Sequence, residues 1–162
     1  AIDTFAILKM RYMDLQMKIV GYGSAFEYTK KYIEKLGIKD ISLTGALTGD
    51  RLRQEFLSAD LYILPTSHGE GIPTSVLEAM AFGLPVITRP VGGLKDFFLD
   101  GKMGYLVDSL EPAEFSLRAE SLIESLPKRK EISLYNYNYA KEHFMASKVA
   151  RDLEKIFNQA FS

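Results

Sequence analysis

The sequence has no cysteine. Thiolate zinc sites, iron–sulfur clusters, thiol nucleophiles and disulfide stapling are therefore excluded. No apolar run approaches the roughly 20 residues that cross a bilayer, and the opening residues carry no signal-peptide pattern. Those two absences predict a cytoplasmic protein. Charge of one sign is lacking too. Twenty basic residues stand against 21 acidic ones, for a net −1, so nothing draws nucleic acid or an anionic lipid surface from a distance. Internal repeats and low-complexity segments are missing as well. What is present, 47% hydrophobic and 25% charged residues over 162 positions, is the composition of an ordinary globular chain. The length matches one domain with its own core.

Short apolar, β-branched runs alternate with helical patterns. Apolar residues at helical spacing from Ile2 (Phe5, Ala6, Leu8, Tyr12) open the chain inside a helix of about 3–12. Strands are predicted at Met17–Val20, Ile41–Thr44, Leu61–Leu64, Val86–Thr88 and Tyr105–Val107. Helices are predicted at 25–36, ending at Gly37, and at 50–59, 73–82, 94–99, 112–126, 132–143 and 147–161, with Lys128-Arg129-Lys130 in a solvated turn. Repeated strand–helix–strand units with apolar strands imply an α/β fold, a Rossmann-like parallel sheet sandwiched by helices. Ligands of such sheets lie beyond the carboxyl ends of the strands, which directs attention to the loops after Val20, Thr44, Leu64, Thr88 and Val107.

Gly21-Tyr22-Gly23 follows a strand and opens a helix, as a phosphate loop would, but a lone Gly-x-Gly is weak evidence. Ser24-Ala25-Phe26-Glu27 has the form of a capping box that would occupy the same amides, and this structural role is the favoured reading. The loop after Leu64 is different. With Pro73 as first helical residue and Gly83 as terminator, Ile72 falls at the cap, where it offers no side-chain acceptor. The amides of Gly71, Ile72, Thr74 and Ser75 are then open to an anion such as a diphosphate. Water at the helix start, or Thr74 capping one turn late, is the alternative.

Two carboxylates flank that start. Glu78 is the only charge between Ile72 and Thr88; ribose hydroxyls or bulk water could satisfy it. Glu70 lies between two glycines, which let a ligand come close to the backbone, or it is a plain loop acid. The helical positions between the two acids contribute roughly 7 Å of rise. A hydrolase pair about 5 Å apart is less economical than two acids holding opposite ends of one elongated ligand, such as a nucleotide sugar.

The string Pro65-Thr66-Ser67, Glu70-Gly71-Ile72-Pro73, Leu77-Glu78-Ala79-Met80-Ala81, Gly83 and Pro85-Val86-Ile87 closely resembles the Glu-x₇-Glu signature of family-4 retaining glycosyltransferases, the group 1 glycosyltransferases. The likeness continues through Gly92-Gly93-Leu94-Lys95-Asp96, with Asp96 where Glu is usual, through Gly101 and Gly104-Tyr105-Leu106-Val107, and upstream at Lys18-Ile19-Val20-Gly21-Tyr22-Gly23. It spans nearly the whole chain.

The resemblance implies the C-terminal, donor-binding half of a GT-B glycosyltransferase, a single nucleotide-sugar-binding domain over 1–162. It implies that Glu78 holds the ribose, that Glu70 lies at the donor sugar in the catalytic position, and that the backbone around Ile72 and Thr74 holds the distal phosphate. Ala46-Leu47 would border the base. Pro73 is a tolerated variant that removes one amide donor. The implied reaction is metal-independent retaining transfer, without cofactor, from a UDP-, GDP- or ADP-sugar to a glycan, glycolipid or lipid-linked acceptor. The family's diphosphate-gripping Arg and Lys, on a strand and loop ahead of the opening helix, have no counterpart here, and Lys9 and Arg11 lie in the wrong element. The resemblance therefore implies a fragment, inactive alone, of an enzyme that meets its acceptor, and peripherally the inner membrane, through another half. A silent binding or scaffold subunit, a sugar-nucleotide epimerase-like domain and a flavodoxin-like module are the competing readings.

Overall fold

The computed structural model describes every residue except His68, Glu70 and Ser162. Five short strands alternate with helices in the expected order: α1 (Ile2–Lys9), β1 (Met17–Val20), α2 (Phe26–Leu36), β2 (Ile41–Gly45), α3 (Gly49–Ser58), β3 (Tyr62–Leu64), α4 (Thr74–Ala81), β4 (Val86–Thr88), α5 (Leu94–Phe97), β5 (Gly104–Leu106), α6 (Pro112–Ile123), α7 (Leu126–His143) and α8 (Ala146–Ala160). Every strand pairing is parallel. The strands form two hydrogen-bonded sets, β1–β2 and β3–β4–β5. A single sheet was the sequence expectation; pairing between distant segments leaves no local signature that would separate the two sets.

Packing explains why both faces of β4 read as apolar. Val86 joins Val76, Ala79 and Met80 of α4, Leu94 of α5 and Ala140 of α7 on one side. Ile87, next in the strand, joins Leu8 of α1 and Phe115, Ala119 and Leu122 of α6 on the other. Burying each of these larger side chains contributes about 1.5–3 kcal/mol. The third cluster, Phe5, Ile33 and Ile41, packs α1 and α2 onto the β1–β2 pair. Gly104 sets the closeness of β4 and β5: its φ is +127°, and a Cβ there would lie 1.8 Å from the Val86 carbonyl oxygen. Only glycine fits.

α1 ends at Lys9 and α6 at Ile123, short of the expected Tyr12 and Leu126. α7 starts six residues earlier than expected, so Lys128-Arg129-Lys130 occupies its first turn instead of a solvated loop. Ser125 caps it by accepting from the Lys128 amide at 3.4 Å. Two of these three basic residues have partners. Arg129 Nη1 donates to the Leu122 and Ile123 carbonyls at 2.6 and 2.7 Å, closing the end of α6. The Lys128 ammonium donates to the Tyr105 hydroxyl. Burial alone would raise that phenol, but the bonds from Lys128 and Ser121 hold it below its ordinary range.

Two further contacts tie the layers. Burial, with hydrogen bonds to Glu124, just past α6, and to Glu120 of α6, pushes the Tyr12 phenol up to about 12. Asn136, fully buried in α7, donates through Nδ2 to the Leu84 and Met103 carbonyls at 2.8 and 2.9 Å. The Leu84 carbonyl lies two residues before β4 and the Met103 carbonyl immediately before β5. α8, in contrast, buries no residue; Val149, Leu153, Ile156 and Phe157 form an exposed apolar stripe.

Asn136→Ala should cost about 1–3 kcal/mol, because the buried Leu84 carbonyl loses its donor. Urea denaturation of the variant beside wild type measures it, and an unchanged midpoint would deny the tether.

Candidate functional site

The loop between β3 and α4 enters the helix through Pro73, whose φ of −62° and ψ of 108° make it the N-cap. This corrects the expected register by one residue. Ile72 lies before the cap, and Pro73 is not yet helical. The physical reason is that the Pro73 carbonyl already accepts the first helical bond, from the Val76 amide at 3.0 Å, while its backbone stays extended. The consequence anticipated from Ile72 survives the shift, since proline offers no side-chain acceptor either and no side chain caps the helix. Among the described residues no acceptor is found for the Thr74 and Ser75 amides.

This bare start is rigidly held. Pro73, Val76, Ala79 and Met80 are buried, whereas Gly71, Ile72, Thr74 and Glu78 are exposed and Ser75 is half-buried. Glu78 therefore stands on the open face one turn beyond Thr74, where bulk water reaches its carboxylate and a ligand could too. With the partial positive charge of the helix start beside it, the face offers amide donors and a carboxylate acceptor along one line. The expected catalytic Glu70, with His68, lies outside the described residues.

A second loop supports the first. The Gly93 amide donates to the Gly71 carbonyl at 2.6 Å, and a Cβ on Gly93 would stand 2.8 Å from Ile72 Cγ1. The Gly92-Gly93 turn after β4 thus fixes the approach to α4, with Asp96 exposed in the following turn of helix. Sequence reading passed over Arg89, at the carboxyl end of β4. Its side chain is 19% exposed and Nη2 lies 3.5 Å from Asp108 Oδ1, while Nε is buried with no hydrogen-bond partner among the described residues. A lone arginine between a buried strand and a proline was the available signal.

The glycine loop after β1 departs from expectation. Ser24 and Glu27 form no capping box: α2 enters through Ala25 at φ −86°, ψ 0°, and no side chain caps it. The Phe26 amide donates to the Gly23 carbonyl at 3.0 Å, so the chain arrives in a turn rather than extended. That geometry moves the cap past Ser24 and leaves α2, like most helices of the chain, without a side-chain cap. Gly21 donates to Gly45 at 2.9 Å, joining this loop to the end of β2, beyond which Ala46 is exposed and Leu47 half-buried. Gly21, Gly23, Leu47 and the 71–75 segment thus all lie at the carboxyl ends of strands.

A shallow cleft of about 350 Å³ opens at the carboxyl end of β5, lined by Asp108, Glu111, Glu114 and Arg118, and another of about 360 Å³ lies beside α2 and β2. The first is mainly acidic and suits no anion. Among the described residues no group of three or more acidic or histidine side chains could hold a metal ion.

Gly93→Ala should destabilise the fold by about 1–3 kcal/mol through its clash with Ile72. The double variant Gly93→Ala/Ile72→Ala should recover most of the loss, a coupling between touching groups. Chemical denaturation of the set of four proteins reads it; strict additivity would show that the two loops do not press on each other.

Residues 1–153 match the family described as glycosyl transferases group 1. An uncharacterized glycosyltransferase of Methanocaldococcus jannaschii is 30% identical over 150 residues, covering 90% of this chain and 38% of the relative. The D-inositol 3-phosphate glycosyltransferase of Paenarthrobacter aurescens is 32% identical over 123 residues, 74% of this chain and 30% of the relative. The chain thus spans about a third of the length of these relatives. Among solved structures, Anabaena HepE in complex with UDP and glucose superposes with a TM-score of 0.83 at 21% identity, over 97% of this chain and 43% of that one. The C-terminal domain of a group 1 glycosyl transferase from Francisella tularensis gives 0.79 at 20% identity, over 90% and 77%. The likeness to solved structures establishes the fold, the Rossmann-like α/β architecture of GT-B glycosyltransferases. By the family match over nearly its whole length, the chain belongs to the group 1 glycosyltransferases.

Proposed function

We propose that residues 1–162 form the nucleotide-sugar-binding domain of a retaining glycosyltransferase that uses no metal ion and moves a sugar from a UDP-, GDP- or ADP-sugar to a glycan, glycolipid or lipid-linked acceptor. The observation that carries this reading is the bare start of α4 at Thr74 and Ser75, beside the open carboxylate of Glu78. Group 1 membership supports it, as does the Anabaena neighbour, whose complex holds UDP and glucose.

In this reading the Thr74 and Ser75 amides, with the backbone of Gly71, Ile72 and Pro73 shaping the approach, receive the distal phosphate. Negative charge grows on the diphosphate as the glycosidic bond breaks. Fixed amides and the helix dipole stabilise that charge more in the transition state than in the ground state, which is what accelerates the step. Glu78 accepts hydrogen bonds from the ribose hydroxyls. Glu70 holds the donor sugar near the reacting carbon, and Gly21, Gly23 and Leu47 border the nucleotide. The acceptor is met by another part of the enzyme, in the cytoplasm or against the inner membrane. Among the described residues no helix is long and apolar enough to cross a membrane.

Calorimetry of the enzyme with UDP, GDP and ADP should find one nucleotide that binds. Glu78→Gln should weaken it about 10- to 100-fold, the loss for hydrogen bonds to a charged acceptor; equal Kd values for variant and wild type would refute the ribose role. Steady-state kinetics of Glu70→Ala should show kcat falling further than KM rises, and an unchanged kcat would remove Glu70 from the mechanism.

A further inference from the structure

β2 pairs with β1 along one edge and β5 with β4 along one edge. Each strand has a second edge, and the two are finished differently. At β5 the Val86 amide donates to the Met103 carbonyl and the Val107 amide to the Thr88 carbonyl, both on the β4 side. Backbone groups alternate along a strand, so those of Gly104 and Leu106 turn outward. Both residues find partners there. The Gly104 carbonyl accepts from the Gly101 amide at 2.8 Å, and the Leu106 amide donates to Asp100 Oδ1 at 2.8 Å. The chain entering β5 thus folds back and closes its own edge.

β2 is left open. On its β1 side the Asp40 carbonyl accepts from the Met17 amide at 2.8 Å and the Gly45 carbonyl from the Gly21 amide at 2.9 Å, with a bulge at Ile19 and Val20 absorbing the odd residue between them. The groups of Ile41 and Leu43 therefore turn outward, and among the described residues neither amide has an acceptor. The edge also lacks the usual devices against strand pairing. Ile41–Gly45 is the longest of the five strands and carries neither proline nor a charge. Beside it opens the cleft of about 360 Å³, lined by Phe26, Ile33, Ile41 and Leu43 with Lys30 and Glu34. Both charges are exposed, and among the described residues neither has an ion-pair partner.

We propose that this edge docks a second copy of the chain, β2 pairing antiparallel with its counterpart across a two-fold axis through Ser42. Ile41 then lies opposite the partner's Leu43, and Leu43 opposite the partner's Ile41. Residues paired in this way exchange both N–H···O bonds, so every outward group of the two residues is satisfied. The same axis carries each α2 over the other's cleft, with the two helices roughly 10 Å apart, the distance at which helices pack. A two-fold contact requires one patch to complement itself, and this patch does so twice. Ile41 and Leu43 each offer a donor and an acceptor, and Lys30 and Glu34, one turn apart on α2, meet the partner's Glu34 and Lys30 when the helices run antiparallel. A peptide of another protein could use the backbone groups but would not carry the matching pair of charges. The sheet becomes continuous through both copies, and the open edge disappears.

Sedimentation velocity over a concentration series tests this. Wild type should convert from monomer to dimer as concentration rises. Lys30→Glu and Glu34→Lys each place like charges at both rim contacts, and each should weaken association by roughly 10- to 100-fold. Both positions are exposed, so the fold is kept. Mixed in equal amounts, the two variants should associate again, because each then meets the opposite charge. Hydrogen exchange of the Ile41 and Leu43 amides should slow in the dimer, while the Met17 and Gly21 amides, already bonded to β2, change little. A wild type that stays monomeric at every concentration overturns the proposal, as does a dimer indifferent to both substitutions. So would protection of Ile41 and Leu43 in the monomer, which would give the edge to another segment of the same polypeptide. No nucleotide enters the experiment, so its outcome is independent of the proposed activity.

Discussion

The buried face of α4, made by Val76, Ala79 and Met80, wedges this helix between the three-stranded sheet and α7. With three fully buried side chains in eight residues, the helix has little freedom to slide or roll. Its start is consequently fixed in space at the carboxyl edge of β3 and β4, and the direction of its amides follows from packing rather than from any group at the edge itself. Everything at that edge inherits its position from this contact: Glu78 on the outward face, the Gly71 carbonyl that accepts from Gly93, and the turn that Ile72 braces. Charge at the site needs only short, uncapped helix starts once the scaffold is rigid.

That the starts are uncapped is a choice the sequence makes at some expense in stability. Serine, aspartate or asparagine at the cap of α4 would satisfy an amide and typically add about 1 kcal/mol; proline instead leaves both amides open. α2 arrives at the same result by another route, through Ala25 in a helical conformation that carries the chain past Ser24. α1, α3, α5, α6 and α8 also start without a side-chain cap, whereas Ser125 caps α7 and Arg129 closes the end of α6. Among the described residues α7 is the only helix with a side-chain cap, so what distinguishes the start of α4 is its place at the carboxyl end of β3 beside Glu78.

Strand positions were legible as short apolar, β-branched runs, unbroken in β4, which is buried on both faces, and interrupted in β1 and β2 by the exposed Lys18 and Ser42. Helix boundaries were less so. The Ser24 and Glu27 side chains suit a capping box, but the box forms only if the chain enters extended, and one dihedral angle at Ala25 decides that. Lys128-Arg129-Lys130 reads as a solvated turn because three adjacent charges avoid burial; the phenol and carbonyls that receive Lys128 and Arg129 lie 23 and 6–7 residues away. Glu78 could be found from its isolation among apolar residues, although only the packing of Val76 and Ala79 reveals that its face is the open one. The division of the strands into two sets left no trace in local pattern, since pairing joins residues about 24 apart.

α8 touches the body of the protein without burying a single side chain. A 15-residue helix is marginal in water by its own hydrogen bonds, and all three core clusters are complete by Phe144. Heat, denaturant or a protease would therefore peel this helix away first and leave a trimmed body still cooperatively folded. Melting curves that follow total helicity would then begin to slope well before those that follow Tyr135 and Tyr139, packed against the core, and the gap between the two would measure how loosely the last helix is attached.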